Sequence, residues 1–129
     1  MGDYSRINLD ELENVAAKHG ITDQEARFPR EPLGLGTSAL AHLRVKAGAR
    51  QPFAHKHQDA EEVHVILSGG GRLKLDDEVI EVGPRDVIRV GPDVTRAFEA
   101  GPDGLEYVVF SERHEGDAEI VQDFWDEED

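Results

Sequence analysis

Between Thr37 and Ser111 the chain sets short apolar segments between turn residues at close, regular intervals, and this rhythm restricts it to an all-β fold. It opens with Ala39, Ala41, Leu43 and Val45 on one face of a strand and Ser38, Leu40, His42, Arg44 and Lys46 on the other. The polar face carrying His42 and Arg44 meets solvent or lines a wet cavity. Further strands are expected at Phe53 to His57, Glu62 to Leu67, Arg72 to Leu75, Val79 to Val82, Asp86 to Val90, Thr95 to Ala100 and Leu105 to Ser111. Gly69-Gly70-Gly71, Asp76-Asp77, Gly83-Pro84, Gly91-Pro92-Asp93 and Gly101 to Gly104 read as the turns between them. No helical period interrupts the series, so a sandwich or barrel follows.

The flanks read differently. Asn8 precedes Leu9, Leu12, Val15 and Ala16 at near-helical spacing, with Glu11 at the third position, as in a variant capping box. Lys18-His19-Gly20 supplies a cationic last turn and a stop, which makes His19 a helix-end residue. Residues 21–36 contain Pro29, Pro32, Gly34 and Gly36 and are expected to form an arm with a short strand at Ala26 to Phe28. The division is therefore an N-terminal helix and arm over residues 1–36, a barrel over 37–111 and an acidic tail over 112–129. Phe124 and Trp125 are expected to dock on the barrel or on a partner, and the charges at Asp126 to Asp129 to stay solvated.

A chain of 129 residues suits one domain with a real core. The absence of cysteine excludes disulfides and thiolate chemistry and fits a reducing cytoplasm. A formal net charge of −14 repels phosphate backbones and anionic lipid, so nucleic acid and membrane are excluded as partners. No basic segment followed by an apolar run marks the N-terminus, and a soluble, cytoplasmic protein is expected.

The chemistry concentrates at His55-Lys56-His57 and Glu61-Glu62-Val63-His64. Strand alternation puts His55 and His57 on one side, about 7 Å apart along the backbone, with Lys56 on the other. Glu62 and His64 share a face of the next strand, which leaves Glu61 in solvent. Two histidines and one carboxylate with open positions form a facial set suited to Fe, and tolerated by Mn, Ni or Zn. Gln51 and Phe53 are placed to line a cavity mouth; Tyr107 and His114 belong to no motif.

The run Gly48-x6-His55-x-His57-x4-Glu62-x6-Gly69 resembles the first signature of the cupin superfamily, with one additional residue between the glycine and the first histidine. The segment from Gly83 to Phe98 is similar to the second signature, with Arg85-Asp86 at its Gly-Asp turn and Arg96 where its metal-binding histidine stands. The resemblance spans residues 37–111 and implies a double-stranded β-helix, or jelly-roll barrel, with His55, His57 and Glu62 as candidate metal ligands inside it. The terminal arms resemble the edge-covering extensions of small cupins, which implies a homodimer.

Arg96 departs from the family pattern. A guanidinium stays protonated and has no lone pair for a metal. Three readings stand: a three-ligand metal site with Arg96 as a clamp for an anionic ligand; a site completed by His64 as ligand or acid/base; or a metal-free polar pocket in which Glu62 pairs with Arg96. His64 is more simply read as a satisfied interior histidine than as a ligand. Accordingly, either a metal-dependent dioxygenase or isomerase of a small anionic molecule, or a sensor barrel without turnover, is compatible with these residues, with Arg96 and His64 the candidate catalytic groups. A purely structural dimer is the third possibility. One barrel hosts many chemistries.

Overall fold

The computed structural model describes residues 2–112 and 116–125. A 3-10 turn at Leu9–Glu11 is followed by α1 (Val15–Lys18), β1 (Gln24–Arg27), α2 (Arg30–Leu33), β2 (Ser38–Val45), β3 (Ala54–His57) and β4 (Glu62–Leu75). Strands β5 (Glu78–Val82), β6 (Val87–Val90), β7 (Arg96–Glu112) and β8 (Ala118–Val121) complete the order. The eight strands form one antiparallel sheet curled into a jelly-roll barrel, in which β1-β2-β7-β3-β8 are neighbours and β4 pairs with β5, β6 and β7. The all-β expectation holds.

Two strands are twice as long as their sequence suggests. Gly69-Gly70-Gly71 lies within β4, and Gly101 to Gly104 lies within β7; neither is a turn. The reason is a shared bend. The β4–β7 register slips between Ile66 and Ser68 and again between Gly69 and Gly71, so both strands turn together while staying paired. Gly69 has φ +71, and a Cβ there would lie 2.0 Å from the Gly104 carbonyl oxygen; one at Gly71 would lie 2.0 Å from that of Glu99. Glycine is needed for the close approach of two backbones.

The N-terminal helix is also split. Asn8 caps as expected, accepting from Asp10 N at 2.8 Å. The chain then extends at Leu12, and Asn14 starts α1, accepting from Ala16 N at 3.2 Å and from Ala26 N of β1 at 3.0 Å. Tying the helix to the arm's strand overrides the weak helical period. The arm's strand runs from Gln24 to Arg27, slightly earlier than expected, and one turn of helix follows it at Arg30–Leu33.

Leu73, Phe98 and Ile66 are the deepest members of a core that also takes Val45, Val82, Leu105 and Tyr107. Phe124 and Trp125 pack with Ala54 and Ala97 in a second cluster, so the aromatics dock on the barrel itself. Basic residues hold them there: Lys74 Nζ donates to the Phe124 carbonyl at 2.5 Å, and the guanidinium carbons of Arg50 and Arg72 lie 4.9 and 5.3 Å from the Trp125 ring. The segment after residue 112 is thus more than a tail, since β8 pairs with β3 along Ala54 to His57. Asp126 to Asp129 and His114 lie outside the described residues. The polar face of β2 splits: His42 is buried with Nε2 2.7 Å from Glu106, while Arg44 reaches the same carboxylate from solvent at 3.1 Å.

Candidate metal centre and cavity

Strand β3 is short because Pro52 precedes it and Gln58-Asp59 leaves the sheet after it, but its register places the histidines. His55 lies opposite Arg96 of β7 on one side and Ile120 of β8 on the other. The imidazoles of His55 and His57 meet edge to face, with centroids 5.4 Å apart. Lys56 points outward to Asp93 and Glu119 at 3.4 and 3.6 Å. One ligand atom each from His55, His57 and Glu62 falls within 4.8 Å of the other two. His64 stands just outside this set, its Nε2 3.6 Å from Glu62 Oε1. Glu61 turns outward to Arg89 at 2.8 Å.

Glu62 is the electrostatic centre. Its Oε2 lies 2.9 Å from His57 Nε2, and its Oε1 accepts from Arg96 Nη2. Burial pushes the Glu62 carboxyl up, but the His57 hydrogen bond and the Arg96 charge outweigh it and hold the group at about 2. The Glu62 hydrogen bond, against burial, raises His57. Burial and the nearby Arg96 charge lower His55 to about 4, and burial lowers His64 to about 4 despite the attraction of Glu62. His55 and His64 are therefore neutral imidazoles at ordinary pH.

Arg96 is buried behind this group and does not line the cavity. Its Nη1 donates to the Val94 carbonyl at 3.2 Å, and its Nε has no partner among the described residues.

The cavity itself encloses about 680 Å³, within the range of small-molecule sites. His55, His57, Glu62, His64 and Tyr107 line one part of it. Much of the remaining wall is apolar: Val15, Ile21 and Phe28 from the N-terminal segment, Leu40 and Leu43 from β2, and Val109 from β7. Among the described residues its lining includes one arginine, Arg30, and also Glu31 and Glu112.

Two functional features escape a sequence reading. Gln51 accepts from Phe98 N at 2.9 Å, which orients its amide to donate to Gln24 Oε1 at 3.1 Å and to the Tyr107 hydroxyl at 2.9 Å. The Tyr107 oxygen accepts, so its own proton remains for a ligand, and burial pushes the phenol up so that it keeps that proton. Strand alternation with Leu105 and Val109 marks Tyr107 as inward but gives it no role. The second feature is Asp117, buried on the loop before β8, with Oδ1 3.0 Å from His57 Nδ1. It sits among acidic residues with nothing to distinguish it in sequence.

Residues 41–111 match the model of the cupin domain family. An uncharacterised protein of Methanocaldococcus jannaschii is 32% identical over 94 residues, 73% of this chain and 74% of that protein. Among solved structures, a cupin protein from Bacteroides fragilis is 25% identical with a TM-score of 0.70, covering 90% of this chain and 89% of its own. The polyketide cyclase RemF from Streptomyces resistomycificus superposes with a TM-score of 0.74 at 21% identity, covering 93% of this chain and 85% of its own. A variant of Streptomyces PAC13 with uridine does so with a TM-score of 0.70 at 17% identity, covering 95% and 93%. The last two attest the fold alone. Barrel, signature residues and family match agree, and the chain belongs to the cupin domain family.

Proposed function

We propose that the barrel holds a divalent metal through His55, His57 and Glu62 and binds a small, largely apolar molecule against it. The observation that carries this reading is the convergence of the three ligand atoms within 4.8 Å at one part of a cavity whose remaining wall is largely apolar. The donor set fits such an ion: His55 is neutral, and Glu62 stays ionised. The metal would supply Lewis acidity at open positions. Of the sequence readings, one makes Arg96 a clamp for an anionic ligand and another pairs it with Glu62; its guanidinium is turned to Glu62 and Val94. A neutral ligand with one polar group suits the cavity better, anchored by the Tyr107 hydroxyl.

The Arg96 to Glu62 pair favours one competing reading, a metal-free binding barrel in which the guanidinium is the site's cation. Two unit charges about 4 Å apart repel by roughly 4 kcal/mol at an effective dielectric of about 20, and a dication doubles this. Such a charge behind the ligands would weaken metal binding. Metal analysis of protein purified without chelators, followed by Zn(II) and Co(II) titration of the wild type and His55→Ala, decides between the two. Stoichiometric binding lost in the variant supports the metal site; no binding to the wild type leaves the metal-free barrel. Thermal shifts with phenolic aromatics against sugar phosphates test the ligand class, and a response to phosphates alone would overturn it.

A further inference from the structure

We infer that Asp117 is a positioning residue that holds the proton on His57 Nδ1, leaving Nε2 as the face turned to Glu62 and the cavity. The inference rests on the proposed metal site for its consequence but on the Asp117 to His57 contact for its content. Asp117 lies beyond residues 41–111, in the segment that adds β8 to the edge of β3. Its Oδ1 is 3.0 Å from His57 Nδ1 and also accepts from Gln58 N at 3.1 Å. Its Oδ2 accepts from Asp59 N at 3.1 Å and from Ala60 N at 2.9 Å. Three backbone donors pin the carboxylate, so it cannot swing away from the ring.

His57 thus stands between two carboxylates: the imidazolium donates to both, from Nε2 to Glu62 and from Nδ1 to Asp117, and the neutral ring has one proton to give. Glu62 already has the Arg96 guanidinium as its cation, whereas Asp117 has neutral amides and the histidine. The proton therefore belongs with Asp117. A ligating histidine is commonly oriented in this way through its other nitrogen. The loop 58–60, which carries the chain from β3 to Glu62, is fixed by the same carboxylate, so one residue sets both the ring's tautomer and the approach of the third ligand.

The test uses Asp117→Asn in the full chain. An asparagine keeps the most backbone bonds by placing its oxygen toward Asp59 and Ala60, and its amide then donates to His57 Nδ1 and moves the ring proton to Nε2. Nitrogen-15 correlation spectra of metal-free protein with His57 neutral should show the Nδ1–H form in the wild type and the Nε2–H form in the variant. Co(II) affinity should fall about ten- to a hundredfold in the variant, with an altered visible spectrum of the bound ion and an unchanged circular dichroism spectrum. An Nε2–H form in the wild type, or Co(II) affinity within about twofold in a folded variant, would overturn the inference. If the wild type binds no Co(II), the metal reading fails while the wild-type tautomer still decides the role of Asp117; the same measurement serves if the variant does not fold.

Discussion

Arg96 donates to Glu62 from a strand more than thirty residues away, and both side chains are buried at the place where a cupin barrel would gather its metal ligands. The pair is matched in charge yet costly to desolvate. Arg96→Met leaves the Glu62 carboxylate buried without its cation and should destabilise the protein by about 3–5 kcal/mol in urea titration. The double variant Glu62→Gln with Arg96→Met should recover most of that loss. Arg96→His removes the repelling charge and adds an imidazole, so its Zn(II) affinity should exceed that of the wild type by at least about tenfold.

The buried histidines set the direction of the pH response. His55 and His64 lie at about 4 against an ordinary 6.5, so between these values the unfolded chain takes up protons that the folded chain does not. Their contribution is full above 6.5 and is lost as pH falls toward about 4. His57 has the opposite sign: its stabilisation is full below its ordinary value and fades as pH rises through the raised one. Glu62 contributes above its ordinary 4.5 and is lost only as pH falls through about 2. With two histidines lowered and one raised, the melting temperature of metal-free protein should decline from neutral pH toward about 4. His64→Phe, which keeps an aromatic ring beside Phe98 and Tyr107, should flatten that decline.

Trp125 packs against the guanidinium groups of Arg50 and Arg72 and anchors the segment that carries Asp117 and β8. Trp125→Ala should cost about 3–5 kcal/mol in denaturant unfolding. The chain contains one tryptophan, so its intrinsic fluorescence reports undocking of this segment directly in the wild type.

Arg85 adopts φ +73 in the turn where the second cupin signature has glycine, and the Asp86 carboxylate closes that turn by accepting from Gly83 N at 2.8 Å. A side chain in the left-handed region costs about 1–2 kcal/mol, partly offset by the extra freedom glycine has when unfolded. Arg85→Gly should raise stability by roughly 0.5–1 kcal/mol, read as a higher melting temperature.

The convergence of His55, His57 and Glu62 was legible because strand parity is local. His55 with His57, Glu62 with His64, and Lys56 and Glu61 on the outside all follow from a period of two residues, and the structure places each on the side expected. Turn residues misled at Gly69 to Gly71 and Gly101 to Gly104, because a glycine required by two crossing backbones looks the same in sequence as one required by a reversal. The short N-terminal helix is present with its expected stop at His19 and Gly20, but it is interrupted before Val15 for a non-local reason, since Asn14 bonds to Ala26 in the arm.

By itself the sequence determined the barrel, the family and the three side chains that converge inside it, since alternation and motif spacing depend on near neighbours along the chain. Only the tertiary structure decided how those side chains are charged and aimed. Arg96 faces Glu62 and not a ligand, Tyr107 is left with a proton to offer the cavity, and Asp117 arrives from the loop before β8 to hold His57. Each of these contacts joins residues distant in the chain, and their desolvation and mutual distance, which no local pattern encodes, fix what the site can do.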